Sequence, residues 1–179
     1  MTTTTATRIP TGTWALDPVH STIGFEVDYL SGTFRGQFRE VEARLLGGDA
    51  PTLAGSAKVA SVDVKDENLA AHLQSPDFFD AERHPELSFE SSEVEIAGEH
   101  VTVRGGITIK GVEKPAELEG SVTEPVADPY GRERIGFRLS GAIDRTAFGV
   151  SWNAPLPSGE PALADEVRLV AELYFVKEA

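Results

Sequence analysis

The stretch VRLVAELYFV, residues 167–176, carries apolar side chains on both faces of a predicted β-strand. Successive residues of a strand point to opposite faces. One face therefore consists of Val167, Leu169, Ala171, Leu173 and Phe175. The opposite face is also largely apolar, with Val170, Tyr174 and Val176. A strand covered on both sides is typical of a barrel wall that packs outwards against a helix or a partner subunit.

Alternation with a period of two continues through most of the chain and indicates half-buried strands. In HSTIGFEVDYL, residues 20–30, one face consists of Ile23, Phe25, Val27 and Tyr29. After a turn at Ser31-Gly32, the stretch TFRGQFREVEARL resumes the alternation, with Phe34 and Phe38 on either side of Gly36. A glycine inside a strand permits a sharp bend or leaves room for a group close to the sheet. Further strands are predicted in AKVASVDVK, LSFES, EVEIA, VTVRGGITIK, AELEGSV and RIGFRLSGAI.

Two local departures from this alternation predict other structures. DENLAAHLQ, residues 66–74, begins with Asp66, a favourable N-cap, and predicts a short helix that ends before Pro76. In AKVASVDVK, residues 57–65, the phase of the alternation shifts, which predicts a bulge near Ala60. Many short strands and one helix indicate an all-β fold, either an antiparallel sandwich or a barrel, and the two-sided last strand favours the barrel.

Length and composition narrow the class of protein. The 179 residues suit a single domain over residues 12–179, preceded by a threonine-rich flexible tail over residues 1–11. A formal charge of −13 argues against nucleic acid and anionic membrane surfaces as partners. The absence of cysteine excludes disulfides and thiolate chemistry. With no apolar signal-peptide core and no apolar run long enough for a spanning helix, we expect a cytoplasmic protein without an integral membrane segment.

The sequence contains no specific catalytic or metal-binding signature. His72 and His84 are separated by Pro76, two phenylalanines and a change of structure, so their spacing does not indicate a metal site. Asp17, His20 and Ser21 are the residue types of a hydrolase triad, but adjacent strand residues point to opposite faces and cannot easily meet. We therefore expect no catalytic residues, no metal and no cofactor.

The adjacent pair Phe78-Phe79 follows the predicted helix in the stretch HLQSPDFFDAERHPELSFES, residues 72–91. Neighbouring aromatic side chains on a short turn cannot both point the same way. In one interpretation, one ring fills the core and the other rests on a nearby loop. In the other, the segment caps a hydrophobic cavity. Composition alone does not decide between them.

Several ordered motifs in this chain resemble the YceI family of polyisoprenoid-binding, lipocalin-like proteins. WALDPVHSTIGFEV is similar to the opening strand of the family, and RGQF to its turn into the second strand. HLQSPDFFDAERHPELSFES resembles the most characteristic family stretch. The glycine hairpin of the family is similar to GITIKGVEKPAEL in this chain, and its Arg-x-x-Phe-Gly motif is similar to RTAFGV. The resemblance extends from Trp14 to Phe175.

The resemblance implies an extended antiparallel barrel of about eight strands, a short helix near its mouth, a long-chain isoprenoid, quinone or similar amphipathic lipid in its lumen, and a homodimer. The residues expected to contact the ligand are Phe25, Val27, Tyr29, Phe34, Phe38, Phe78, Phe79, Phe148 and Trp152. The candidates for head-group contacts are His20, His72 and Arg145. Two alternatives stay open: an enzyme that uses His20, His72 or His84 as acid or base, and a filled barrel that acts through protein contacts.

Overall fold

The computed structural model describes residues 9–178, which form twelve β-strands and one α-helix, α1 (Glu67–Leu73). The first six strands are β1 (Thr13–Leu16), β2 (Thr22–Tyr29), β3 (Gly32–Phe38), β4 (Val41–Leu46), β5 (Thr52–Lys58) and β6 (Val62–Asp63). The remaining strands are β7 (Glu86–Ala97), β8 (His100–Ile109), β9 (Val112–Val122), β10 (Val126–Ala127), β11 (Glu133–Asp144) and β12 (Leu163–Lys177). Single 3-10 turns occupy Val59–Ser61 and Arg145–Phe148.

The strands close into an antiparallel barrel of eight, in the order β11-β9-β8-β7-β5-β4-β1-β12. Closure comes from β11 and β12, which pair along their whole common length, from Arg134 opposite Val176 to Asp144 opposite Glu166. The predicted barrel and its single short helix are confirmed. Within the described residues, no helix is long and apolar enough to cross a membrane.

Strand β12, whose two faces are both largely apolar in sequence, pairs with β1, β2 and β11. Its final residues pair with β1, and its earlier part pairs with β2, which continues into the β2–β3 hairpin. On the inner face, Leu173 and Phe175 are buried, as the alternation predicts. On the outer face, Val170 is exposed. The helix α1 packs beside β6 at one end of the barrel.

The chain bends at two neighbouring places in the wall, between β3 and β4 and between β5 and β6. The alternation shifts between Phe38 and Val41, where β3 ends and β4 begins, and the structure places a 3-10 turn at Val59–Ser61 between β5 and β6. Hydrogen bonds from Arg39 N to Ser61 O, 3.1 Å, and from Lys58 N to Glu40 O, 3.0 Å, join the two bends. In place of the bulge predicted near Ala60, the structure therefore has a 3-10 turn that is hydrogen-bonded to the bend at residues 39–40.

The half of the barrel farthest from α1 is filled with side chains. Its core contains Trp14, Leu45, Val101, Val103, Ile135, Phe137 and Phe175, all at most 2% exposed. Ile9 is part of this cluster, and the Trp14 indole donates a hydrogen bond to Pro10 O at 3.1 Å. Ile9 and Pro10, which the sequence assigns to the tail, therefore contact this core. The rest of the predicted tail, residues 1–8, lies outside the described residues.

A charged cluster centred on Asp17 joins two turns and the start of β11 at this filled end. The Asp17 carboxylate accepts a hydrogen bond from Arg134 at 2.9 Å and lies 2.7 Å from His20 Nδ1. Arg134 also donates to Asp128 at 2.9 Å. Burial raises the pKa of Asp17, but the hydrogen bonds from His20 and Arg134 outweigh it, so the pKa falls to about 2.

Acid should therefore weaken the fold through Asp17. Because its pKa in the folded protein is about 2, below the usual 3.8, its contribution is complete above about pH 4 and is lost as the pH falls towards 2. We expect Asp17→Asn to lower the free energy of unfolding at pH 7 by about 1–2 kcal/mol. It should also flatten the dependence of that free energy on pH between 4 and 2. Urea denaturation across this range measures both effects, with Glu124→Gln as an exposed control. An unchanged slope between pH 4 and 2 would contradict this assignment.

Candidate functional site

The half of the barrel nearest α1 contains a cavity of about 380 Å³. The lining is largely apolar and comes from inward-facing residues of the wall and from the segments at the mouth. Since the opposite half is filled, the cavity does not run through the barrel. A volume of this size lies within the range of small-molecule sites in proteins, roughly 300–1,000 Å³.

All nine residues predicted to contact a ligand line this cavity. Five come from the first hairpin: Phe25, Val27, Tyr29, Phe34 and Phe38. Four come from the mouth: Phe78, Phe79, Phe148 and Trp152. The structure thus places the aromatic face of β2 and β3 on the inside of the barrel. Contact of these residues with a ligand stays a prediction.

Four phenylalanine rings form the wall of the cavity beneath the mouth. The Phe25 ring centroid lies 5.9 Å from those of Phe34 and Phe38 and 6.1 Å from that of Phe79. Gly36 makes this packing possible, because a Cβ at this position would lie 2.6 Å from the Phe25 ring. Of the two roles predicted for Gly36, the structure shows room for a close group, while the bend itself lies at residues 39–40.

The pair Phe78-Phe79 combines both interpretations that the sequence left open. Phe78 is buried against Trp152, with ring centroids 5.4 Å apart, while Phe79 is half-buried against Phe25 and Phe38. Asp80 takes a positive φ of 54°, and its amide donates to Ser75 O, so the chain turns sharply after the two rings. Residues 74–81, the covering segment, therefore place both rings in the lining of the cavity.

The covering segment is fastened to two other loops at the mouth. Lys110, in the β8–β9 turn, directs its ammonium to the carbonyl oxygens of Pro76 and Gly149. The helix preceding the segment is fixed by Asp66, whose carboxylate accepts from Asn68 N at 2.8 Å and Leu69 N at 3.1 Å, as the predicted N-cap requires.

Arg145 lines the cavity but directs its N–H groups to the backbone. The buried guanidinium donates to the carbonyl oxygens of Ala164 at 2.8 Å, Val150 at 2.7 Å and Trp152 at 2.9 Å, with a longer contact of 3.4 Å to Leu163 O. Burial lowers the pKa of Arg145, whereas the negative charges of Asp165 and Asp144 act to raise it and have the smaller effect. Because its donors are already engaged, the head-group role predicted for Arg145 does not fit the structure. Its role is to hold the 145–152 segment against β12.

The two histidines predicted to contact a head group lie in different parts of the barrel. His20 is exposed beside Asp17 at the filled end, so it does not border the cavity and lies away from the other residues predicted to contact the ligand. His72 borders the cavity at the mouth, between the rings of Phe78 and Trp152, with centroids 4.9 and 4.7 Å away. Its Nε2 atom lies 3.1 Å from the Asp77 carboxylate.

Other lining residues lay outside the predicted site. Leu69 and Leu73 come from α1, Ile107 and Ile109 from β8, and Leu163 from the start of β12. Their alternation or helical spacing marked them as core residues, but the sequence does not say which core positions border empty space. Among residues 9–178, no group of three or more histidine, aspartate or glutamate side chains could hold a metal ion.

The model of the YceI-like domain matches residues 14–175, a range that contains every residue of the cavity lining. This chain belongs to the YceI-like family. A UPF0312 protein of Photorhabdus laumondii is 30% identical over 158 residues, which cover 86% of this chain and 82% of that protein.

Two solved structures share the fold of this family member. BcnA of Burkholderia cenocepacia has a TM-score of 0.77 at 24% identity, covering 89% of this chain and 98% of that one. A polyisoprenoid-binding domain from Saccharophagus degradans, described as implicated in plant cell wall breakdown, has a TM-score of 0.66 at 13% identity. This second match covers 92% of this chain and 98% of that one.

Proposed function

We propose that this protein binds a chain-like amphipathic lipid, such as a long-chain isoprenoid or a quinone, in the barrel cavity. It carries or sequesters the lipid without converting it. The observation that carries this proposal is the apolar cavity of about 380 Å³, whose lining is rich in aromatic rings. The similarity in fold to a polyisoprenoid-binding domain supports the same class of ligand.

Burial of a lipid chain supplies enough free energy for this function. Each buried methylene contributes about 0.8 kcal/mol. About ten such groups correspond to the ~8 kcal/mol of micromolar binding, before the cost of ordering the chain. The lining provides this burial without any metal or cofactor, whose absence remains a prediction.

The positions of the histidines favour binding over catalysis. His20 lies at the filled end, and His84 packs against the β8–β9 turn, where a Cβ on Gly111 would lie 2.7 Å from its ring. Of the three candidate acids or bases, His72 alone borders the cavity, and its polar partner there is Asp77. Since the rest of the cavity lining is largely apolar, we assign His72 to binding.

Trp152 provides a direct test, because it borders the cavity while Trp14, the other tryptophan, is fully buried in the filled half. We expect titration with the prenyl alcohol farnesol to change tryptophan emission saturably, with a dissociation constant of about 1–10 μM. Trp152→Phe should abolish the change, since Trp14 does not face the ligand. A folded wild-type protein without saturable change, and without binding by calorimetry, would contradict the proposal.

Two further features of the protein remain proposals. The homodimer implied by the family resemblance is consistent with the exposed Val170 on the outer face of β12. Sedimentation equilibrium measures the mass of the assembly, and a monomer at micromolar concentration would contradict the dimer. The cytoplasmic location expected from the sequence is tested by fractionation of the native cells.

A further inference from the structure

The size and charge of the cavity restrict the lipid more narrowly than the proposed function requires. We infer that the cavity selects a single chain of about fifteen carbons with an uncharged hydroxyl head group, and disfavours prenyl diphosphates. This inference rests on the proposed function and specifies its ligand.

The volume limits the length of chain that can be enclosed. An apolar cavity of ~150 Å³ holds benzene, and on that scale 380 Å³ holds roughly fifteen carbon atoms. The chain cannot extend further into the barrel, because Trp14, Leu45 and Phe175 fill the space beyond the cavity and are 0% exposed. Carbons beyond this number stay at the mouth in water, so they add little to affinity.

The segments that form the mouth carry an excess of negative charge. Residues 65–86, which contain α1 and the covering segment, hold six carboxylates against Lys65 and Arg83. Residues 144–166 hold four carboxylates against Arg145. Both Arg145 and Lys110 direct their N–H groups to backbone carbonyls at the mouth. An anionic head group would therefore meet repulsion, whereas an uncharged one would not.

His72 provides the polar contact for an uncharged head group. An ionised carboxylate can only accept hydrogen bonds, so the contact with Asp77 requires a proton on the Nε2 atom of His72. In the tautomer that carries its single proton there, Nδ1 is an acceptor. A hydroxyl is the small uncharged group that can donate to it, and His72 stands at the border between the apolar lining and the mouth.

Tryptophan fluorescence with five probes tests the inference. The probes are geraniol, farnesol, geranylgeraniol, farnesyl methyl ether and farnesyl diphosphate. We expect farnesol to bind at least about tenfold tighter than the shorter geraniol, and within about threefold of the longer geranylgeraniol. The diphosphate and the methyl ether should each bind at least about fivefold more weakly than farnesol.

The variant His72→Phe isolates the head-group contact, because it keeps the aromatic packing and removes the acceptor. In this variant the difference between farnesol and its methyl ether should disappear, while the preference for chain length remains. Three results would overturn the inference and leave lipid binding intact. The first is that the diphosphate binds as tightly as farnesol, and the second is that affinity rises steeply from farnesol to geranylgeraniol. The third is that His72→Phe still prefers farnesol to its methyl ether as strongly as wild type does. Binding of none of the five probes would instead overturn the proposed function itself, and the inference with it.

Discussion

Replacing Arg145 with methionine is expected to lower the free energy of unfolding by roughly 3–5 kcal/mol, a large part of the 5–15 kcal/mol typical of a domain. The guanidinium is 5% exposed and donates to backbone carbonyls on both the 145–152 segment and β12. Methionine has similar length but no donors. The substitution therefore leaves buried carbonyl oxygens unpaired, and each such oxygen costs about 1–3 kcal/mol.

Urea denaturation of the variant measures this loss, and Arg138→Met is the matched control. Arg138 is exposed on β11, so its replacement should change the free energy of unfolding by less than about 0.5 kcal/mol. Arg145→Lys should recover only part of the stability, because an ammonium has three donors and no planar fork. If Arg145→Met destabilised the protein no more than Arg138→Met, the assigned role of Arg145 would be wrong.

Filling the cavity from the wall is expected to abolish lipid binding without unfolding the protein. Val167 faces the cavity from β12, opposite Val27, and is half-buried. Val167→Trp places an indole in the space that the chain would occupy. We expect the affinity for farnesol to fall at least about tenfold, since several carbons lose their burial. The cost in stability should stay near 1 kcal/mol or below, because the added ring enters existing space.

The matched control for this variant is Glu172→Trp, at an exposed position of the same strand. It adds the same side chain outside the barrel and should leave the affinity unchanged. Competition against a fluorescently labelled prenyl alcohol measures both variants, so the new tryptophans do not disturb the readout. Equal affinity of Val167→Trp and wild type would exclude the cavity as the binding site.

The sequence predicted the walls of the barrel better than its interior. Alternation identified the inward face of β2, and the N-cap Asp66 located α1, because both depend on neighbouring residues. The bend between β3 and β4, at residues 39–40, was not predicted. It is joined by hydrogen bonds to the turn at Val59–Ser61, which lies on another strand and cannot be inferred from the local alternation.

The role of individual polar residues depended on distant parts of the chain. Arg145 is a structural residue because the carbonyls of Leu163 and Ala164, eighteen and nineteen positions away, approach its guanidinium. His20 and His72 look equivalent as isolated histidines. The closure of the barrel places one at the filled end and the other at the mouth.

Whether the lumen is open or filled could not be predicted, since it depends on how large side chains from eight strands meet. Trp14, Phe137 and Phe175 meet in one half and exclude any ligand there. Phe25, Phe38 and Phe79 pack as a wall in the other half and leave the cavity. One half of the barrel is thus filled and the other half contains a cavity, and alternation along a single strand does not reveal this difference.

Extraction of lipids from the detergent-free protein of the native source, followed by mass spectrometry, tests lipid binding in the barrel most directly. The proposed function predicts a single-chain lipid at close to one molecule per barrel in wild type, and its loss from Val167→Trp purified in parallel. Wild-type protein that is folded, free of lipid and unable to take up added farnesol would contradict lipid binding in this cavity.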